Sequence, residues 1–280
     1  MFRVIAFASC LLMALPASAL SCPPPGQWAD REGRPLAETA ALSQAASARV
    51  VLLGESHAEP AHHRFQASVI AALAGRGPVV VGLEMLPRSQ QGALDRLSSG
   101  AISLEEFRRE SDWDRLWGHD FAAYAPVLSL IRERRLPAIA LNVDRAFVRR
   151  VGQEGFDRAA ADGKAPVGRP APAPAAYRAM LEEVFRAHAR AATPAAVDAF
   201  VDAQTVWDRA MAEALHAARQ PGRIAIGIMG RGHVEGGHGV AHQLRALGED
   251  RIWSALPAPP CEGADAFFGT PATKPAADGG

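Results

Sequence analysis

The stretch Arg49-Val50-Val51-Leu52-Leu53-Gly54-Glu55-Ser56-His57 decides the fold class of this chain. Its apolar residues run without alternation, the pattern of a strand covered on both faces, and it breaks abruptly into glycine and polar groups. The same pattern recurs in Val79-Val80-Val81-Gly82-Leu83-Glu84, in Ala138-Ile139-Ala140-Leu141-Asn142-Val143, in Arg223-Ile224-Ala225-Ile226-Gly227-Ile228-Met229 and, more weakly, in Arg251-Ile252-Trp253. Between these runs, Pro60 to Leu73 and Ala122 to Arg134 carry helical periodicity. Strands buried on both faces and separated by helices predict an α/β fold with a mostly parallel sheet flanked by helices.

A Pro/Ala/Gly loop from Gly163 to Pro174 interrupts this alternation. Two long helical patterns follow it, Ala175 to Ala192 and Pro194 to Arg219, so residues 163–219 read as a loop plus helical cap or insertion. Residues 20–256 form a single domain on this reading, and the Pro-, Ala- and Gly-rich residues 257–280 read as a disordered tail.

The chain has 280 residues with 49% hydrophobic content, enough for a full core, which excludes disordered and disulfide-scaffold classes. Thirty basic against thirty acidic side chains leave no footprint for nucleic acid, which is not expected as a partner. Residues 1–19 have the charged start, apolar run and Ala17-Ser18-Ala19 ending of a signal peptide, so the chain is expected to be exported to the periplasm. Cleavage there removes Cys10 and leaves Cys22 and Cys261, which either form a disulfide or leave Cys22 as a lipid-bearing membrane attachment.

In open α/β sheets, ligands sit beyond the carboxyl ends of the strands. Three strands end there in polar groups: Gly54-Glu55-Ser56-His57, Glu84-Met85, and Gly230-Arg231-Gly232-His233. Glu55, His57, Glu84 and His233 are therefore expected on one rim, as a general acid/base set or, through His57, Glu84 and His233, as ligands of a divalent metal. Gln204 and Asp208 lie four residues apart beside an apolar helical stripe, and either cap nearby backbone or shape the cleft. His238 and His242 follow Gly236-Gly237 as possible ligands, Arg145 and Arg231 are the candidate anion clamps, and His62 and His63 read as solvated.

The ordered series Leu53-Gly54-Glu55-Ser56-His57, Gly82-Leu83-Glu84-Met85 with Gln91, Trp117 with Tyr124-Ala125-Pro126, Leu141-Asn142, Ala203-Gln204 with Asp208 and Met211-Ala212, and Gly230-Arg231-Gly232-His233 resembles the ChaN-like haem-binding uptake family of the Tiki superfamily. Erythromycin esterase-like and TraB-like proteins are its relatives. The resemblance covers roughly residues 45–250. It implies a haem-binding protein of bacterial iron uptake, with haem or a related tetrapyrrole as ligand, a homodimer, and an outer-membrane uptake system as partner. Tyrosine ligation in that family points to Tyr124, with His57, His233 or His238 as substitutes. The Tiki relatives instead imply a metal-dependent hydrolase, with Mn, Co or Zn held by the two Gly-x-x-His elements and the strand-end glutamates. Whether the chain is an enzyme stays open between these two.

Overall fold

The computed structural model describes residues 22–189 and 192–271; the signal peptide read over residues 1–19 and Cys10 lie outside them. The chain starts with two short strands, β1 (Trp28–Asp30) and β2 (Pro35–Leu36), and continues as α1 (Glu38–Ser47), β3 (Val50–Glu55), α2 (Pro60–Ala74) and β4 (Val79–Pro87). Four helices follow, α3 (Gln91–Ser98), α4 (Leu104–Glu110), α5 (Trp113–Leu116) and α6 (Phe121–Glu133), before β5 (Ala138–Asn142). Next come α7 (Arg145–Glu154), α8 (Phe156–Ala159), α9 (Ala175–His188) and α10 (Pro194–Ala217). The chain then runs through β6 (Ile224–Gly230), α11 (Val240–Ala246), β7 (Ile252–Ala258) and β8 (Ala266–Gly269).

All eight strands join one sheet in the order β2-β1-β8-β7-β3-β6-β4-β5. Every pairing from β8 to β5 is parallel, and β1 pairs antiparallel with both β2 and β8. The α/β architecture with a mostly parallel sheet and flanking helices is therefore as expected. The continuous apolar runs have the predicted cause: Val51 and Leu53 face the core under α1, α2 and α6, whereas Val50 and Leu52 face the opposite core under α10 and α11. All four are fully buried.

The insertion divides into two parts. Helix α10 packs directly on α7, α11 and β5, so it belongs to the covering layer of the sheet. Helix α9 packs on α10 through Tyr177, Leu181, Val197 and Val201, and its last turn overhangs the strand ends.

The tail reading of residues 257–280 needs correction. Strand β7 runs on to Ala258, and β8 is inserted between β7 and β1, with Ala266 and Phe267 fully buried. Asp265 accepts hydrogen bonds from Ser254 N–H (2.9 Å) and Oγ (3.0 Å), and a disulfide joins Cys261 to Cys22 with Cα atoms 5.5 Å apart. Local composition there favours loop, but pairing across more than 200 residues of sequence overrides it. Residues 272–280 lie outside the described part.

Candidate functional site

Parallel neighbours β3, β6 and β4 end side by side, which brings their carboxyl ends to one rim. The β3–β6 register sets Glu55 opposite Gly230, and Glu84 follows Leu83, which sits opposite Ile228. Glycine at position 230 is required by close approach: a Cβ there would lie 2.9 Å from His57 Cε1 and 3.1 Å from Nε2. Its backbone N–H instead donates to Glu84 Oε2 at 2.6 Å.

Two arrangements of the same type flank Glu84. In the first, Glu55 Oε1 accepts from Tyr124 Oη at 2.6 Å and from His57 Nδ1 at 2.8 Å, and His63 Nδ1 lies 3.2 Å from Oε2. In the second, Asp208 accepts from Tyr177 Oη at 2.7 Å and from His233 Nδ1 at 2.7 Å, and His233 Nε2 lies 3.4 Å from Glu84 Oε1. Each is a tyrosine, a carboxylate and a histidine, assembled from different helices and strand ends.

These partners dictate the protonation states. Burial alone would raise the Glu55 carboxyl, but hydrogen bonds from His57, His63 and Tyr124 outweigh it and hold the group at about 2. Burial opposes charge on His233 as well, yet Glu84 and Asp208 together lift it to about 10, so it is an imidazolium at neutral pH. Glu84 is buried but lowered by His233 and His57. Asp208 is raised by burial, against the pull of His233 and Tyr177. Burial, and then the neighbouring carboxylates Asp208 and Glu55, push both tyrosine hydroxyls far above their ordinary range, so both serve as proton donors only.

Several expectations change at this point. His62 and His63 are buried rather than solvated. His62 Nδ1 accepts the Ser56 N–H at 2.9 Å, which requires a neutral ring, and burial lowers it to about 4. Tyr124 is 1% exposed and bound to Glu55 beneath the rim, so its hydroxyl is not presented to a ligand. His238 packs against the Tyr177 ring, and His242 Nε2 bonds to Pro172 O at 3.0 Å; neither lines the rim cavity. Arg231 contributes to the cavity wall, but its guanidinium turns back to the carbonyls of Pro257 and Pro260 and to Glu235, so it is no anion clamp. Asp208 orients His233 from below, and Gln204 reaches the cavity.

Both ring nitrogens of His233 face carboxylates, Nδ1 that of Asp208 and Nε2 that of Glu84. Among the described residues, no group of three or more His, Cys, Asp or Glu side chains is placed to hold a metal ion.

Above these groups lies a cavity of about 730 Å³ bounded by Glu55, His57, Glu84, Asn142 and His233 below and by α9 at the side. Its remaining walls include Trp117, His119, Arg145, Val184, His188, Gln204 and Trp207. The His57 ring stands edge-on to Trp117 and beside His119, with centroids 4.7 and 4.9 Å away. His63, Tyr177, His119 and His188 have no motif in the sequence. The one available signal was that the chain holds only two tyrosines, both of which the structure uses against buried carboxylates.

The family model described as haem-binding uptake, Tiki superfamily, ChaN matches residues 41–244. Among solved structures, cofacially haem-binding ChaN of Campylobacter jejuni superposes with a TM-score of 0.70 at 17% identity, over 86% of this chain and 95% of that one. An erythromycin esterase mutant, EreC in its open conformation, gives a TM-score of 0.46 at 15% identity, over 77% of this chain and 71% of that one. No curated protein matches the chain. At these identities the structural likeness establishes the fold, and the ChaN superposition covers nearly the whole of both chains. Since the family match spans well over half of the sequence, the chain belongs to the haem-binding uptake family of the Tiki superfamily, ChaN.

Proposed function

We propose that the rim cavity binds haem and that the chain is an exported, periplasmic haem-binding protein of iron uptake. The observation that carries this reading is the cavity itself, about 730 Å³ in volume and walled by Trp117, Val184 and Trp207 beside imidazoles and a free guanidinium. That volume suits a ligand of drug-like size. Haem demands an apolar slot, a donor for iron and cations or N–H groups for its carboxylates, and each is present. Val184 is 43% exposed, the one large apolar side chain so exposed among the described residues, and it faces this space. The Trp207 Nε1 atom is buried without a hydrogen-bond partner among the described residues. Arg145 also lines the cavity, and its side chain has no hydrogen bond or ion pair among the described residues.

His188 is the side chain best suited to ligate iron. Its Nδ1 must donate to the Val184 carbonyl at 2.8 Å, since a carbonyl only accepts, and this leaves the Nε2 lone pair free. When bound, haem would supply a redox-active, Lewis-acidic iron; the chain would hold it through His188, the aromatic walls and the cationic Arg145.

Export is supported by the Cys22–Cys261 disulfide, a bond of oxidising compartments. In that bond Cys22 has no thiol left for lipid attachment. A homodimer sharing haem and an outer-membrane partner extend the proposal, and sedimentation with and without haemin tests the first. Titration of the mature chain with haemin should give a saturable Soret shift. His188→Ala should change that spectrum and weaken binding about tenfold or more, about 1.4 kcal/mol. No spectral shift in the wild-type chain would overturn the proposal.

The two buried Tyr–carboxylate–His arrangements favour a second reading, hydrolysis by general acid–base chemistry at the same rim without a bound metal. Chelator-resistant ester turnover that is lost in His57→Ala would establish it over binding alone.

A further inference from the structure

A parallel sheet gathers residues at both of its ends, and the end opposite the rim holds an unusual set. Arg49, Arg223 and Arg251 each immediately precede a strand: β3, β6 and β7. Those strands are adjacent in the order β7-β3-β6, so the three arginines start neighbouring strands in a row. Backbone bonds tie them together, from Arg49 N–H to Arg251 O at 2.8 Å and from Ala225 N–H to Arg49 O at 3.0 Å. Interstrand spacing places such neighbours about 5 Å apart at the backbone. Arg76 after α2 and Arg219 after α10 join them around one cavity of about 620 Å³.

This concentration of charge is not balanced. The cavity lining contains five arginines and no acidic side chain; its other residues are Ala46, Ala48, Gln220, Ile224 and the Gly77-Pro78 and Pro221-Gly222 turns. The carboxylate of Glu249 is 2% exposed, engaged by Arg219 and attracted by Arg49, and it also accepts the Arg251 backbone N–H at 2.8 Å. The Arg251 guanidinium bonds to Ser47 O, and Arg76 bonds to Ser43 Oγ at 3.3 Å. Arg49 and Arg223 make no side-chain hydrogen bond or ion pair among the described residues. A concave surface lined by one sign of charge focuses its field, and guanidiniums match phosphate geometry in two-pronged fashion.

We propose that this arginine-lined cavity is a second ligand site, taking a phosphate-bearing polyanion across Arg49, Arg223 and Arg251. It lies at the opposite end of the sheet from the rim cavity and shares no lining residue with it. It does not depend on the haem reading. Two sources present this chemistry, a soluble oligophosphate and the headgroups of an anionic phospholipid surface.

The test uses the mature chain, the double variant Arg49→Gln/Arg223→Gln, and a control of equal charge loss elsewhere, Arg64→Gln/Arg149→Gln. Calorimetric titration with inorganic tripolyphosphate at low salt should show one saturable site that weakens as salt rises. The cavity variant should lose about tenfold or more in affinity, and the control should stay within about twofold. Because neither Arg49 nor Arg223 makes a side-chain hydrogen bond or ion pair among the described residues, and Arg49 adds only a through-space attraction to Glu249, the cavity variant should melt within about 4 °C of wild type, which separates lost binding from lost folding. Co-sedimentation with phosphatidylglycerol vesicles but not phosphatidylcholine vesicles, competed by tripolyphosphate, assigns the site to a membrane surface; tripolyphosphate binding without vesicle binding assigns it to a soluble ligand. Absence of both, or equal weakening in the control, overturns the proposal.

Discussion

Glu84→Gln isolates the charge at the centre of the rim. The amide keeps an acceptor for Gly230 N–H and can donate to a neutral His233 Nε2, so shape and hydrogen bonding survive while the negative charge is lost. His233 is lifted from 6.5 to about 10, corresponding to about 5 kcal/mol of preference for the imidazolium. Glu84 supplies the largest single attraction, so a loss on the order of 3 kcal/mol is expected when its charge is removed. This agrees with the cost of removing one partner from a buried ion pair, about 3–5 kcal/mol, taken at its lower end because the amide fits. For a domain of this size the melting temperature should fall by about 6–12 °C. A base whose pKa is raised on folding contributes its full stability below its unfolded value and loses it as the pH rises through the folded value. The wild-type advantage should therefore be complete between about pH 4.5, where Glu84 is ionised in both states, and about pH 6.5, and should close as the pH passes about 10. Urea unfolding of both proteins across that range measures it. An equal loss at every pH, or a loss under about 1 kcal/mol at pH 6, would refute the assignment of His233 as a buried imidazolium.

Acid should destabilise the wild-type chain in two stages. From pH 6.5 to about 4 the unfolded chain gains a proton that His62 refuses in the fold, and from 4.5 to about 2 the same holds for Glu55. A urea midpoint that stays flat from pH 7 to pH 3 would contradict both. Tyr177→Phe removes one donor from buried Asp208 and should cost about 1–3 kcal/mol, while leaving any haem spectrum unchanged because the tyrosine lies outside the cavity lining. Opening the Cys22–Cys261 bond, by reductant or by Cys22→Ser, should lower stability by about 2–5 kcal/mol, seen as a shift in the denaturant midpoint.

The sheet was legible because strands buried on both faces leave an unmistakable apolar run, as in Val50 to Leu53 and Val79 to Leu83. Strands β1 and β8 were not. Trp28–Asp30 and Ala266–Gly269 are short, lie in Pro- and Gly-rich surroundings, and exist through pairing with each other from opposite ends of the chain. Within the site, Glu55, His57, Glu84 and His233 were legible as polar groups placed directly after buried strands, where a charge without a partner is costly. Their partners were not, since Tyr124, Tyr177 and Asp208 come from helices that sequence spacing cannot orient. The same limit hid His188, an exposed histidine on a helix that only tertiary packing brings over the rim. Net neutrality misled too: thirty charges of each sign conceal five arginines collected at one end of the sheet.

The central claim, that haem occupies the rim cavity, is tested most directly by a crystal structure of the mature chain with haemin. Porphyrin density is expected between Trp117, Val184 and Trp207, with His188 Nε2 on the iron and Tyr124 still bonded to Glu55. Porphyrin bound elsewhere, with the rim cavity empty, would contradict it.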